Sequence, residues 1–329
     1  MPKNLFWVWI SVIASSTLAA AQTAPPPDAA ACVIPDQELA QQFAAARAAL
    51  QSSTQAKPIY GCDDRKDLFD PRLTEPQKRA AQATALVVSK KEDRIELCSP
   101  EQAAKTQAAE PERFWDQPQL GGCSSFKVGP KVMATAGHCI QSLPECRKTR
   151  FIFGYHMLDR NSRPDQAIPK TNVYQCVALI GGSFSEDDPT VSDWRLVEVD
   201  RIIDAPTVAI RTAATKPPLT SDTAVTVIGY PLGLPVKIAD EATVRSIEKK
   251  KFVANLDTYG GNSGSVVLNS ELLARNELLA EGILVGGAND FQLTGQKCVL
   301  SAHCPDKGCS GEKVTAISEI ADALKKANR

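Results

Sequence analysis

Three short segments carry side chains whose types suit a shared proton-transfer reaction. His138 stands in Thr135-Ala136-Gly137-His138-Cys139, directly after the apolar run Val132 to Ala134, and the other histidines are His156 and His303. An imidazole at a strand end, between small residues, can reach into a cleft and act as a general base. Asp193 stands at the head of an apolar run that starts at Trp194; a buried carboxylate accepting the imidazole N–H would set its tautomer and stabilise the imidazolium. Gly260-Gly261-Asn262-Ser263-Gly264-Ser265 runs directly into Val266 to Leu268. Glycines beside a serine let the backbone turn sharply, so the amides of Gly261 and Ser263 can converge on one oxyanion while the hydroxyl attacks. Taken singly, each piece has a commoner structural explanation: a packed histidine, a turn aspartate, a glycine-rich hairpin. The Gly-x-Ser-x-Gly elbow of lipases is not met, because residue 265 is Ser and the chain order is His, Asp, Ser.

The elements that must position these groups read as short strands. From Thr84 onward the chain shows brief runs rich in Val, Ile and Thr, broken by Gly and Pro. They are Ala85 to Ser89, Ser125 to Val128, Val132 to Thr135, Arg150 to Tyr155, Trp194 to Val199, Ala224 to Gly229, Ser265 to Leu268 and Glu281 to Val285. Many short strands without helical patterns between them point to an all-β barrel or sandwich, not a βαβ sheet. Residues 204–218, with Pro206, Pro217 and Pro218, read as a crossing between two halves of similar size. Val314, Ile317, Ile320 and Leu324 return to helical spacing and predict a closing helix over 314–329.

Composition excludes several classes. The 329 residues are 43% hydrophobic and 23% charged, a globular balance that rules out a coiled coil, a collagen-like fibre or a wholly disordered chain. A net charge of -1, without a basic cluster, gives no footprint for nucleic acid. Lys3, the apolar stretch Leu5 to Ala14 and the small residues Ala19 to Ala21 form the order of a secretory signal over 1–21, too short to span a bilayer. The chain is therefore expected outside the cytoplasm, secreted or periplasmic, without a membrane span, and its ten cysteines mostly paired. Residues 22–58 read as a proline-rich linker followed by an amphipathic helix, Asp36 to Leu50, with Leu39, Phe43, Ala46 and Leu50 on one face.

Together the motifs resemble those of the trypsin-like, chymotrypsin-fold serine endopeptidases, in the bacterial branch that includes the glutamyl endopeptidases. The resemblance is carried by Cys123-Ser124-Ser125-Phe126, Gly129-Pro130, Thr135-Ala136-Gly137-His138-Cys139, Asp193 before a strand, Gly229-Tyr230-Pro231 and Gly261-Asn262-Ser263-Gly264-Ser265. It implies two antiparallel six-stranded β-barrels, 59–203 with His138 and Asp193 and 219–313 with Ser263, joined by 204–218 and closed by the C-terminal helix. It implies Ser263 as nucleophile, His138 as base, Asp193 as its orienting partner, and the Gly261 and Ser263 amides as oxyanion hole, with no cofactor or metal and with proteins or peptides as substrates. A Cys123–Cys139 disulfide comes with the same resemblance, and Cys146 with Cys176 is a further pairing suggested by position alone. Cys298, Cys304, Cys309 and His303 could form a metal cluster, but in an exported chain they read as disulfide partners.

Departures from the family shape the finer expectations. Asn262 stands where an Asp receives the new N-terminal ammonium in the digestive enzymes, so activation by that ion pair is not expected. Ile59-Tyr60-Gly61-Cys62-Asp63-Asp64-Arg65 looks like the start of a mature chain, which would make 22–58 a propeptide of a zymogen. Asp257 and Thr258, with Val285 and Gly286, fall at the expected substrate pocket, and Asp257 suggests cleavage after Arg or Lys. Leu284 stands where glutamyl enzymes place a His, which argues against a glutamate preference. Two competing functions remain in view: a protease-fold binding protein without turnover, and an esterase using the same triad.

Overall fold

The computed structural model describes residues 59–89, 94–106, 111–287, 290–294 and 297–327. The expected signal, linker and Asp36 to Leu50 helix lie outside the described residues. Twelve strands build two barrels. The first takes β1 (Thr84–Val88), β2 (Cys123–Lys127), β3 (Val132–Thr135), β4 (Arg150–Phe153), β5 (Val173–Ser183) and β6 (Trp194–Val199). The second takes β7 (Ala224–Gly229), β8 (Lys237–Ile247), β9 (Lys251–Ala254), β10 (Val266–Asn269), β11 (Leu279–Gly286) and β12 (Glu312–Ala316).

Each barrel closes as an antiparallel ring with the same strand order: first, second, third, sixth, fifth, fourth. Closure leaves no unpaired strand edge in either ring. Two closed six-stranded antiparallel barrels are what the family resemblance implied.

Alternation along the strands sorts residues between barrel interiors and a shared interface. Val87, Met133, Phe151, Phe153, Val197 and Val199 fill the first interior, and Val225, Val227, Val244, Phe252, Val267 and Leu284 the second. The opposite faces meet between the barrels: Leu86, Phe126 and Leu196 pack in one cluster with Ile228, Val266, Leu268 and Ile283. That joint core holds both barrels in one register, which a site shared between them requires.

Several boundaries differ from the expectation. Ile59–Tyr60 and Lys66–Asp67 join the second half of the molecule, not the first barrel: they pair with His303–Cys304 and with Lys237–Ile238 of β8. Within 204–218, Ala209–Ile210 pairs with Leu279–Ala280 of β11. Val314 belongs to β12, because its alternation with Thr315 lets it fill the second interior. The C-terminal helix is Ala321–Ala327, after a single tight turn at Ile317–Ile320, and Ile317, Ile320 and Leu324 seal the interface cluster. The eleven-residue β5 and β8 were not expected; both are longer, and their burial breaks from strict alternation at bulges.

Candidate active site

Strand register brings His138 and Asp193 together. β3 and β6 run antiparallel with Thr135 opposite Arg195, so the residues just past Thr135 face those just before Arg195. His138 lies on the tight turn Gly137–Cys139 that follows β3, and Asp193 immediately precedes β6. His138 Nδ1 lies 2.6 Å from Asp193 Oδ2. The other carboxylate oxygen accepts from the backbone amides of Gly137 at 2.5 Å and His138 at 3.1 Å. A carboxylate held by two amides cannot rotate freely, so it presents one lone pair to the imidazole in a fixed direction. Thr315 Oγ1, from the second barrel, donates to the Asp193 carbonyl at 2.9 Å and accepts from its amide at 3.4 Å. The Cys123–Cys139 disulfide ties the turn to β2, and Phe184 lies against the imidazole with ring centres 5.8 Å apart.

The Gly260–Ser265 loop belongs to the second barrel but rests on the first. Ser124 of β2 donates its amide to the Ser263 carbonyl at 2.7 Å and its hydroxyl to the Gly261 carbonyl at 2.9 Å. Gly261 and Gly264 have φ of +87° and +89°, the left-handed region where a side chain is strained. A Cβ on Gly264 would also fall 2.0 Å from the Ser124 carbonyl oxygen and 2.3 Å from Thr135 Oγ1. Leu232 N–H to the Gly260 carbonyl, Asn262 N–H to the Tyr259 carbonyl, and Asp290 Oδ2 accepting from the Gly260 amide at 2.7 Å complete the scaffold of this turn. Among the described residues, the amides of Gly261 and Ser263 donate no hydrogen bond, and none joins Ser263 Oγ to the His138 ring. Asn262 is buried, its Oδ1 accepting from Ser265 Oγ at 3.0 Å.

Residues 123–273 match the trypsin-like peptidase domain family. The matched segment carries His138, Asp193 and Ser263. Among solved structures it is similar to a Glu endopeptidase in complex with MPD, at 14% identity and TM-score 0.47, over 82% of this chain and 98% of that one. It is also similar to the Vibrio cholerae VesB protease, at 14% identity and TM-score 0.49, over 81% of this chain and 68% of the other. No curated protein sequence matches the chain.

The residues expected at the substrate pocket fall in unequal surroundings. Asp257 is buried, and its carboxylate accepts from the Tyr60 amide at 2.7 Å and the Asp64 amide at 3.0 Å. Burial, with the nearby charges of Asp64 and Asp63, holds its carboxyl well above the usual carboxylate range. It therefore lies under the 59–64 segment rather than at the mouth of a cleft. Thr258 is fully buried and donates to Glu312 at 3.2 Å, whereas Val285 and Gly286 at the end of β11 are half-buried. A side chain on Gly286 would meet nothing within 4 Å. Ser124, Thr315 and Asp290 were not singled out in the sequence as site residues; Ser124 lay within a family-like motif, but each acts across a distance of more than 25 residues, which no local pattern reports.

The remaining cysteines form Cys98–Cys298, Cys146–Cys176 and Cys304–Cys309. Cys298, Cys304 and Cys309 are thereby taken up as disulfides, and Cys62 is also disulfide-bonded. No helix among the described residues is long and apolar enough to cross a membrane.

Proposed function

We propose that this chain hydrolyses peptide bonds through an acyl-enzyme intermediate, outside the cytoplasm. Ser263 Oγ attacks the scissile carbonyl, and His138 Nε2 takes its proton and returns it to the leaving amine. Asp193 holds the ring and stabilises the imidazolium. The oxyanion that forms on the carbonyl accepts from the Gly261 and Ser263 amides, each donor worth about 3 kcal/mol of barrier. Water then repeats the sequence on the ester, releasing the second product and restoring Ser263.

The observation that carries this reading is the His138 Nδ1 to Asp193 Oδ2 contact of 2.6 Å, with the carboxylate clamped by two amides beside the turn that bears Ser263. Fixing Nδ1 as the donor to Asp193 leaves Nε2 as the ring's basic nitrogen. The two uncommitted amides support the oxyanion role. In a free enzyme the serine–histidine bond is commonly long and tightens when substrate excludes water. Four disulfides among the described residues suit an oxidising compartment, in keeping with export by residues 1–21. Removal of 22–58 before Ile59 would complete maturation.

The test is the intact mass of the purified protein after exposure to a fluorophosphonate, with a Ser263→Ala control. One adduct on Ser263, absent from the control and accompanied by peptide cleavage, is the expected result. An unmodified protein processed at Ile59 would favour the binding-protein reading, and turnover confined to esters would make it an esterase.

A further inference from the structure

We propose that the Ser124 hydroxyl, on β2, is a positioning residue that aims the Gly261 amide at the oxyanion. The role rests on the acyl-enzyme reading above, because it explains how one of the two donors assigned there is held in place.

Nothing in Gly261 itself fixes that donor. Glycine reaches both signs of φ at little cost, so hydrogen bonds from outside must settle the turn. A trans peptide points its carbonyl and the following N–H in opposite directions, so the Gly260 carbonyl decides where the Gly261 N–H points. That carbonyl accepts from Leu232 N–H at 2.6 Å, and the Gly261 carbonyl accepts from Ser124 Oγ at 2.9 Å. The peptides on either side of Gly261 are thereby each held by a different part of the molecule.

Ser124 joins those two parts. Its Oγ also accepts from Tyr230 N–H at 2.9 Å, two residues before Leu232. Leu232 has φ of +53°, a left-handed conformation that a residue with a side chain keeps only under restraint from its surroundings. A serine hydroxyl has one hydrogen to donate and lone pairs to accept, so a single atom ties the turn that holds Gly260 to the turn that carries Gly261. The backbone of Ser124 extends the frame. Its amide donates to the Ser263 carbonyl at 2.7 Å, and its carbonyl accepts from Thr135 Oγ1 at 2.7 Å, three residues before His138. Ser124 is wholly buried. Removing its hydroxyl therefore leaves the Tyr230 amide and the Gly261 carbonyl without that partner, and the Gly260–Gly261 peptide loses part of the restraint on its rotation.

The experiment follows the burst phase with p-nitrophenyl acetate, which gives the acylation rate constant and the binding constant separately. Ser124→Ala is expected to lower the acylation rate constant roughly 10- to 100-fold and to change binding by less than about twofold, since misaiming one oxyanion donor removes part of its effect. Ser124→Thr, which keeps the hydroxyl, should recover at least about a third of the original rate constant. A purely structural role would instead lower the melting temperature and leave the rate constant of the folded protein unchanged. If Ser124→Ala fails to fold, Ser124→Thr and Ser124→Val are compared, alike in shape and different in the hydroxyl, and the threonine variant should acylate at least about tenfold faster. Acylation by Ser124→Ala within about threefold of the unaltered protein, equal rates for the threonine and valine variants, or a loss that threonine does not restore would overturn the proposal. An unaltered protein that forms no acyl-enzyme and takes no fluorophosphonate would refute the catalytic reading, and this role with it.

Discussion

Two polar regions of this molecule solve the problem of a charged group in opposite ways. At the corner between β3 and β6, His138 and Asp193 are half-buried, and the carboxylate is satisfied by two amides and one imidazole, all within a turn and a strand end. In the segment beside Lys66–Asp67, Arg65 is almost fully buried and pairs with Asp63 through Nη2 to Oδ2 at 2.5 Å and Nε to Oδ1 at 2.8 Å. Arg65 also donates to the Tyr259 hydroxyl at 2.6 Å, with its guanidinium 3.8 Å from that ring's centre. Glu112 accepts from the Tyr259 hydroxyl and, at 2.7 Å, from both the Ser301 amide and hydroxyl. The corner keeps its imidazole and carboxylate partly open to solvent. The cluster shuts its charges away, so its contribution depends on every partner being present.

If that contrast is right, substitutions at the corner should cost rate, and substitutions in the cluster should cost stability. The largest effect expected is for Asp193→Asn, which keeps the shape but supplies the wrong hydrogen-bond partner: kcat should fall about 10⁴-fold with little change in melting temperature. Loss of folding instead would mean that Asp193 is a structural residue. Glu112→Ala leaves Tyr259 and Ser301 without their shared acceptor and removes the ion pair with Arg65 at 3.6 Å, and should cost about 3–5 kcal/mol in denaturant unfolding. A loss below 1 kcal/mol would show the cluster to be replaceable. Removing the Cys123–Cys139 bond, whose ends are 16 positions apart, should cost about 3 kcal/mol and slow fluorophosphonate labelling, since it holds the turn that carries His138.

The smallest effect concerns pH. Burial pushes the Asp64 carboxyl up to about 6, so the folded state holds that proton more tightly than the unfolded chain, where the group titrates near 4. The stability it confers is therefore present below about pH 4 and lost as pH rises through 6. Asp64→Asn should flatten this part of the stability profile and raise stability at pH 8 by on the order of 1–2 kcal/mol. An unchanged slope between pH 4 and 7 would assign the titration to another group.

How far the sequence could be read follows the same division. Val132 to Thr135, Trp194 to Val199 and Ala224 to Gly229 were legible to the residue, because apolar runs between turn formers are local signals. The segment 59–67 was misassigned to the first barrel, since nothing in its composition indicates that Tyr60 and Asp64 hydrogen-bond to Asp257, almost 200 residues later. Asp257 itself looked like an open pocket acid for the same reason: position along the chain does not report which backbone will cover it.

By itself, the sequence determined the chemistry within reach. A histidine after a strand, an aspartate before one, and a serine among glycines are each defined by immediate neighbours, since strand ends and sharp turns depend on local backbone freedom. Tertiary structure alone decided which acids are covered. Glu312 meets Thr258 and Gly287, and Arg65 meets Glu112 and Tyr259, only after barrel closure has brought distant strands together. Desolvation depends on everything packed around a group, and that environment is assembled by the fold as a whole.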